Sequence, residues 1–149
     1  MHSLFDPADR EALCRRFAAL EPGAQRHWGR MEPAQMLRHC ALALEDGLGA
    51  RQVKQALLGK LVTPFIRGAV FGDRPFRRSA PTDPAYVVSD PQDFEAERSR
   101  LAVLIDRLVQ RGVAKTDGRV HPFFGRLSGP DWGRLVYKHL DHHLRQFGV

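Results

Sequence analysis

The stretch Leu135-Val136-Tyr137-Lys138-His139-Leu140-Asp141-His142-His143-Leu144-Arg145-Gln146-Phe147 decides the reading of this chain. Wound as an α-helix at about 100° per residue, it places His139, His143, Gln146 and Phe147 on the same side as Trp132 and Val136. Asp141 and Arg145 point the opposite way, and His142 lies on the flank. The His-x-x-x-His spacing stacks two imidazoles one turn apart on an apolar face, a separation at which both can hold one metal ion. Two histidines buried together without a metal are costly, because each has polar nitrogens to satisfy and protonating both sets like charges in a low dielectric. The competing reading is a pair that closes the open end of a helical bundle, bonded to backbone or water.

Working outward, the sequence predicts four helices. The last starts at Ser128, where Ser128-Gly129-Pro130-Asp131 has the form of a cap, and reaches about Phe147. The first runs from Pro7 to Leu20 behind the cap Asp6, the second from Pro33 to Leu48 before Gly49, and the third from Ser89-Asp90-Pro91 to Gly112 as its terminal glycine. Residues 51–61 suit a short helix carrying Val53, Leu57, Leu58 and Leu61. The prolines at 64, 75, 81, 84 and 91, with Gly68 and Gly72, then argue against any long element over residues 62–92. Tyr86-Val87-Val88 is too short to argue for a sheet. The expected class is therefore all-α, a four-helix bundle over residues 1–149 with a long irregular connection between helices 2 and 3.

Two ligands do not complete a metal site, and His39 on the second helix is the candidate third. It sits at the edge of that helix's apolar face. Cys40 lies nearer the centre and reads as a small buried hydrophobe rather than a ligand. His121, before Phe123-Phe124, reads first as part of a packed turn and secondarily as a residue lining a substrate mouth. Trp28 and Trp132 read as anchors in the core or at helix ends, and His2 and His27 as surface residues.

The 149 residues suit one domain, and 43% apolar with 27% charged composition suits a folded chain. No apolar run approaches the length of a membrane span, and the start shows no signal-peptide pattern, so a cytoplasmic protein without a membrane association is expected. Cys14 and Cys40 form no CxxC pair, in keeping with reduced thiols. The net charge of +6 is concentrated: residues 51–80 hold seven Lys and Arg against one Asp. Such a segment can attract nucleic acid or an anionic small molecule. Without a zinc finger, helix-turn-helix or stacking motif, nucleic acid is the weaker reading.

The C-terminal stretch resembles the last helix of the DinB/YfiT-like proteins, which ends in a His-x-x-x-His pair with Gln three residues on. Further similarity to a bacterial DinB-like branch of unknown function lies in Trp28-Gly29-Arg30-Met31, Gln35-Met36-Leu37-Arg38-His39, Pro81-Thr82-Asp83-Pro84, Asp93-Phe94-Glu95 and His121-Pro122-Phe123-Phe124-Gly125. The resemblance implies an up-down-down-up bundle and a divalent metal, zinc or nickel, on His39, His139 and His143. Gln146 and His142 would then support the ligands from behind. It further implies a metal-dependent enzyme, a thiol-dependent S-transferase or related detoxifying activity that uses a low-molecular-weight thiol on a small-molecule substrate. The alternative is a non-catalytic bundle acting in homodimerisation or partner binding.

Overall fold

Local capping chemistry explains where the helices of the computed structural model begin. The structure describes residues 1–51, 54–80 and 82–149; Val53 of the expected short helix and Pro81 of the Pro-Thr-Asp-Pro motif lie outside them. Helix α1 (Pro7–Ala18) starts where the Asp6 carboxylate accepts from the amides of Ala8 and Asp9. Helix α2 (Pro33–Leu48) starts where the Glu32 amide donates to Gln35 Oε1 at 2.9 Å, and it ends at Gly49 with φ 69°. That left-handed turn favours glycine. Helix α5 (Gly129–Gln146) is capped by Ser128, whose hydroxyl accepts from the Asp131 amide.

Helix α4 (Phe94–Thr116) begins later than the sequence predicts, capped by Asp93 at the Ala96 amide (2.7 Å). The expected start at Ser89-Asp90 is displaced because the carbonyls of both residues accept from the Gln35 side chain, which holds them as the edge of a loop. Gly112 breaks the α-helical geometry where the sequence predicts, and a second short helical stretch follows it. The chain passes through it at φ 76°, ψ 169°, then makes one more turn in which Thr116 Oγ1 donates to the Gly112 carbonyl at 2.8 Å.

The largest correction falls between α2 and α4. Where the sequence predicts nothing long beyond residue 61, α3 runs over Leu57–Phe71 with Pro64 inside it. A proline there removes one hydrogen bond, to the Lys60 carbonyl, and both residues are exposed, so water reaches the freed oxygen. The rest of the helix is held from outside. Lys138 Nζ on α5 donates to the carbonyls of Ala69, Val70 and Gly72 at 2.8, 2.8 and 2.9 Å, and Thr63 Oγ1 donates to the Phe123 carbonyl. Leu57, Leu58 and Leu61 do share a face, but it looks to solvent.

A 3₁₀ turn, Pro84–Tyr86, and a two-stranded antiparallel ladder complete the described elements. Strand β1 (Val120–His121) pairs with β2 (Gly125–Arg126), Val120 opposite Arg126 and His121 opposite Gly125. The chain is thus predominantly helical, with one small hairpin that the all-α expectation lacked. Helix α2 packs along α4, and α5 touches α1, α2, α3 and α4. The core between them holds Leu13, Phe17, Met36, Leu44, Leu108 and Trp132. Among the described residues no helix is long and apolar enough to cross a membrane. Because α5 contacts α2, the inner face of one brings its histidines against the inner face of the other.

Candidate metal centre

Three imidazoles meet at that contact: His39 from α2, His139 and His143 from α5. Each offers one nitrogen, and the three nitrogens lie within 4.8 Å of one another. Their ring centroids form a near-equilateral triangle, 4.8 Å for His39–His139, 4.7 Å for His39–His143 and 4.8 Å for His139–His143. His39 and His143 are buried, whereas His139 is half-buried and forms the open side.

The hydrogen bonds behind the rings fix which nitrogens face inward. A carbonyl can only accept, so the contact of 2.7 Å between His39 Nδ1 and the Tyr86 carbonyl places the proton on Nδ1 and leaves Nε2 as a lone pair. His143 is held in the same sense through a relay. The Gln146 amide nitrogen donates to the Trp28 carbonyl at 2.7 Å, which turns its Oε1 toward His143 Nδ1 at 2.8 Å. Nδ1 therefore donates, and His143 Nε2 is free. His39 Nε2 and His139 Nε2 are 2.8 Å apart; with a lone pair on the first, the second must donate in the metal-free chain.

Burial keeps all three rings neutral. It is the first cause that lowers the His39 proton affinity, opposed by the Tyr86 carbonyl, and it takes His143 down to about 3 with His39 adding to it. His139 is lowered well below the usual histidine range by burial and then by His143 and His39. Three neutral imidazoles, two of them with an Nε2 lone pair fixed by a carbonyl-type oxygen behind the ring, are a donor set that fits a divalent cation. The group could hold a metal ion.

Residues 4–148 match the model of a family described as Protein of unknown function (DUF1569). The chain belongs to that family. This corrects the resemblance to DinB/YfiT-like proteins, because the family found over nearly the whole chain is DUF1569 and no DinB/YfiT family matches. A His-x-x-x-His pair is a local spacing that any helix presenting two imidazoles to one ion would share, so it does not mark a family by itself. No curated protein and no solved structure matches the chain.

The remaining predicted residues of this DUF1569 chain take different places. Gln146, 2% exposed, contacts a ligand candidate directly as described. His142 is half-buried. Its ring lies against His143 at 5.1 Å, Trp28 at 5.6 Å and Phe76 at 6.0 Å, and among the described residues it makes no hydrogen bond to the three imidazoles. It borders a cleft of about 400 Å³ shared with Trp28, Phe76 and Arg78. His121 is buried in the hairpin, where Nδ1 accepts from the amides of Phe123 and Phe124 at 3.1 and 3.2 Å. Cys40 is buried with its thiol against Met36 Sδ, and burial pushes its proton affinity up, so it stays a thiol and stands outside the cluster.

Sequence reasoning missed what holds His39. The Tyr86 carbonyl is positioned by its own side chain, whose hydroxyl donates to Asp46 Oδ2 at 2.5 Å. Asp46 is 1% exposed, and Arg51 Nε lies 3.0 Å from its other oxygen, close enough to pair in charge but without hydrogen-bond alignment. The signal for Asp46 was present: an acid two turns after His39 on the apolar face of α2. The signal for Tyr86 was not, because the contact spans 47 positions, across all of α3 and the loops on either side of it.

Proposed function

We propose that this chain is a metal-dependent enzyme acting on a small molecule, with His39, His139 and His143 holding one divalent ion, zinc or nickel. In this reading α1, α2, α4 and α5 form a four-helix bundle and α3 lies against its outside. The observation that carries the proposal is the pair of outer hydrogen bonds, from His39 to Tyr86 and from His143 to Gln146. They leave a lone pair on Nε2 of each ring, in a group whose three donor nitrogens lie within 4.8 Å of one another.

A divalent ion held by three neutral imidazoles keeps its charge and open coordination positions, and so supplies Lewis acidity that favours the ionised form of water or of a low-molecular-weight thiol. The chain's own groups do the rest. Tyr86 and Gln146 hold the Nδ1 protons and so keep the ligand nitrogens bare. The depressed proton affinities of all three rings keep them neutral at pH 7. His139, the half-buried member, is the least enclosed of the three, and a small thiol and its electrophilic partner would approach from its side, with the apolar core excluding bulk water behind. The reaction class we favour is thiol-dependent group transfer.

Cobalt(II) substitution tests this reading. One equivalent should give the visible absorption of a low-coordinate site, and adding a small thiol should produce a thiolate-to-cobalt charge-transfer band. A cobalt spectrum unchanged by thiols would overturn the thiol assignment, and failure to take up cobalt would overturn the site.

A further inference from the structure

Helix α3 turns an apolar face to water. Leu57 is 78% exposed, Leu58 63%, Leu61 71% and Phe65 88%. At positions i, i+1, i+4 and i+8 these four side chains make one stripe on a 15-residue helix. The helix cannot roll to bury them, because its opposite face is already engaged. A Cβ on Gly59 would stand 2.1 Å from the Phe123 carbonyl oxygen, Phe71 lies in the core, Arg67 pairs with Asp131, and Lys138 holds the last carbonyls.

The charge around the stripe is mainly positive. Residues 51–72 contain Arg51, Lys54, Lys60 and Arg67 and no acid. Arg51 and Arg67 are used internally, by Asp46 and Asp131, whereas Lys54 and Lys60 are exposed and make no ion pair among the described residues. Arg74 and Arg77 follow, exposed and likewise unpaired among the described residues. A second copy of the same face would oppose cation to cation, with the exposed Asp73 the one acid of residues 51–80 to relieve it. The occupant must therefore be both apolar and anionic. A ridge of convex side chains offers no groove to a folded partner, while a lipid interface asks only for depth and charge.

We propose that the outer face of α3 is a membrane-surface contact, with Leu57, Leu58, Leu61 and Phe65 entering an anionic bilayer while Lys54 and Lys60 stay at the headgroups. A helix lying in the interface needs no spanning length, and basic residues beside an apolar stripe are its ordinary composition. Only the leaflet facing α3 is engaged, and the histidine cluster takes no part.

Vesicle flotation tests it, with phosphatidylcholine alone against equal parts phosphatidylcholine and phosphatidylglycerol. The full chain should float with the anionic vesicles, weakly with the neutral ones, and lose binding as salt shortens the Debye length. The double variant Leu61→Ser/Phe65→Ser should lose at least about tenfold in partitioning, since several buried methylenes are removed, and keep the wild-type melting temperature because both sites are exposed. Lys54→Gln/Lys60→Gln should lose about fivefold per lysine and much of the salt dependence. No flotation with either vesicle, or equal flotation of the Leu61→Ser/Phe65→Ser variant, would overturn the proposal. So would a wild-type dimer that this variant dissociates, since the face would then belong to a second copy.

Discussion

Gln146 accepts the Nδ1 proton of His143 at 2.8 Å while its own amide nitrogen reaches the Trp28 carbonyl at 2.7 Å, so one side chain ties the end of α5 to the loop before α2. The Gln146 amide also fills the space beside Gly29, where φ is 79° and a Cβ would meet Nε2 at 2.4 Å. Position and tautomer of a candidate ligand thus depend on a residue three places further on.

Replacing Gln146 by Leu keeps the volume and removes both bonds. We expect metal affinity to fall about 10- to 100-fold, the usual effect of losing a group that orients a ligand. Stability should fall by about 1–3 kcal/mol for each buried polar group left unpaired. Competition with a chromophoric chelator reads the first and urea unfolding of the metal-free chain the second.

His121 predicts an acid-sensitive fold. In the unfolded chain its imidazole protonates near 6.5, whereas burial takes it to about 3 in the folded protein. The unfolded state binds more protons between those values, so stability is fully present above about 6.5 and is lost as pH falls through the window. His121→Asn keeps an acceptor for the Phe123 and Phe124 amides and removes the titration. Between those pH values its stability should fall less steeply than wild type by about 1.4 kcal/mol per pH unit, measured by urea unfolding of metal-free protein across the range.

Two glycines of α3 should respond with opposite signs. Gly68 faces open space, so Gly68→Ala should stabilise the helix by about 0.5–1 kcal/mol through reduced backbone freedom. Gly59→Ala gains the same propensity but drives its Cβ into the Phe123 backbone carbonyl, and the helix should lift from the hairpin. Hydrogen exchange of the α3 amides separates them: slower in the first variant, faster in the second.

Tyr86→Phe removes the hydroxyl that satisfies Asp46, a carboxylate that burial already makes easier to protonate. A lost hydrogen bond to a buried charged group costs about 1.5–3 kcal/mol. The variant should unfold at lower urea and bind metal more weakly, because the turn carrying the His39 partner is loosened.

What could be read from the sequence was what depends on neighbours along the chain. Asp6 before Pro7, Ser128 before α5 and Gly49 after α2 act within one turn, and the His139–His143 spacing is a property of one helix. Their positions were therefore predictable. Pro64 misled because a breaker was judged without knowing whether its freed carbonyl faces water or core, and only the packing of α3 decides that. Leu57, Leu58 and Leu61 read as an apolar face, and nothing local says which way such a face turns. The Tyr86 carbonyl and the Asp46 carboxylate escaped for the same reason: their partners lie far away in sequence, and a backbone oxygen carries no residue signature. The family was misread although several stretches besides the His139–His143 pair were compared, because short stretches were matched one by one whereas the family model that matches covers residues 4–148 as a whole.

Three neutral imidazoles, His39, His139 and His143, should hold one divalent ion between them. The direct measurement is metal content by mass spectrometry after untagged chain is reconstituted with zinc or nickel and dialysed, beside His39→Ala and His143→Ala. Close to one equivalent is expected for the wild-type chain and little for either variant, as three preorganised ligands should retain the ion. Less than about one-tenth equivalent in the wild type, or equal content in the alanine variants, would contradict it.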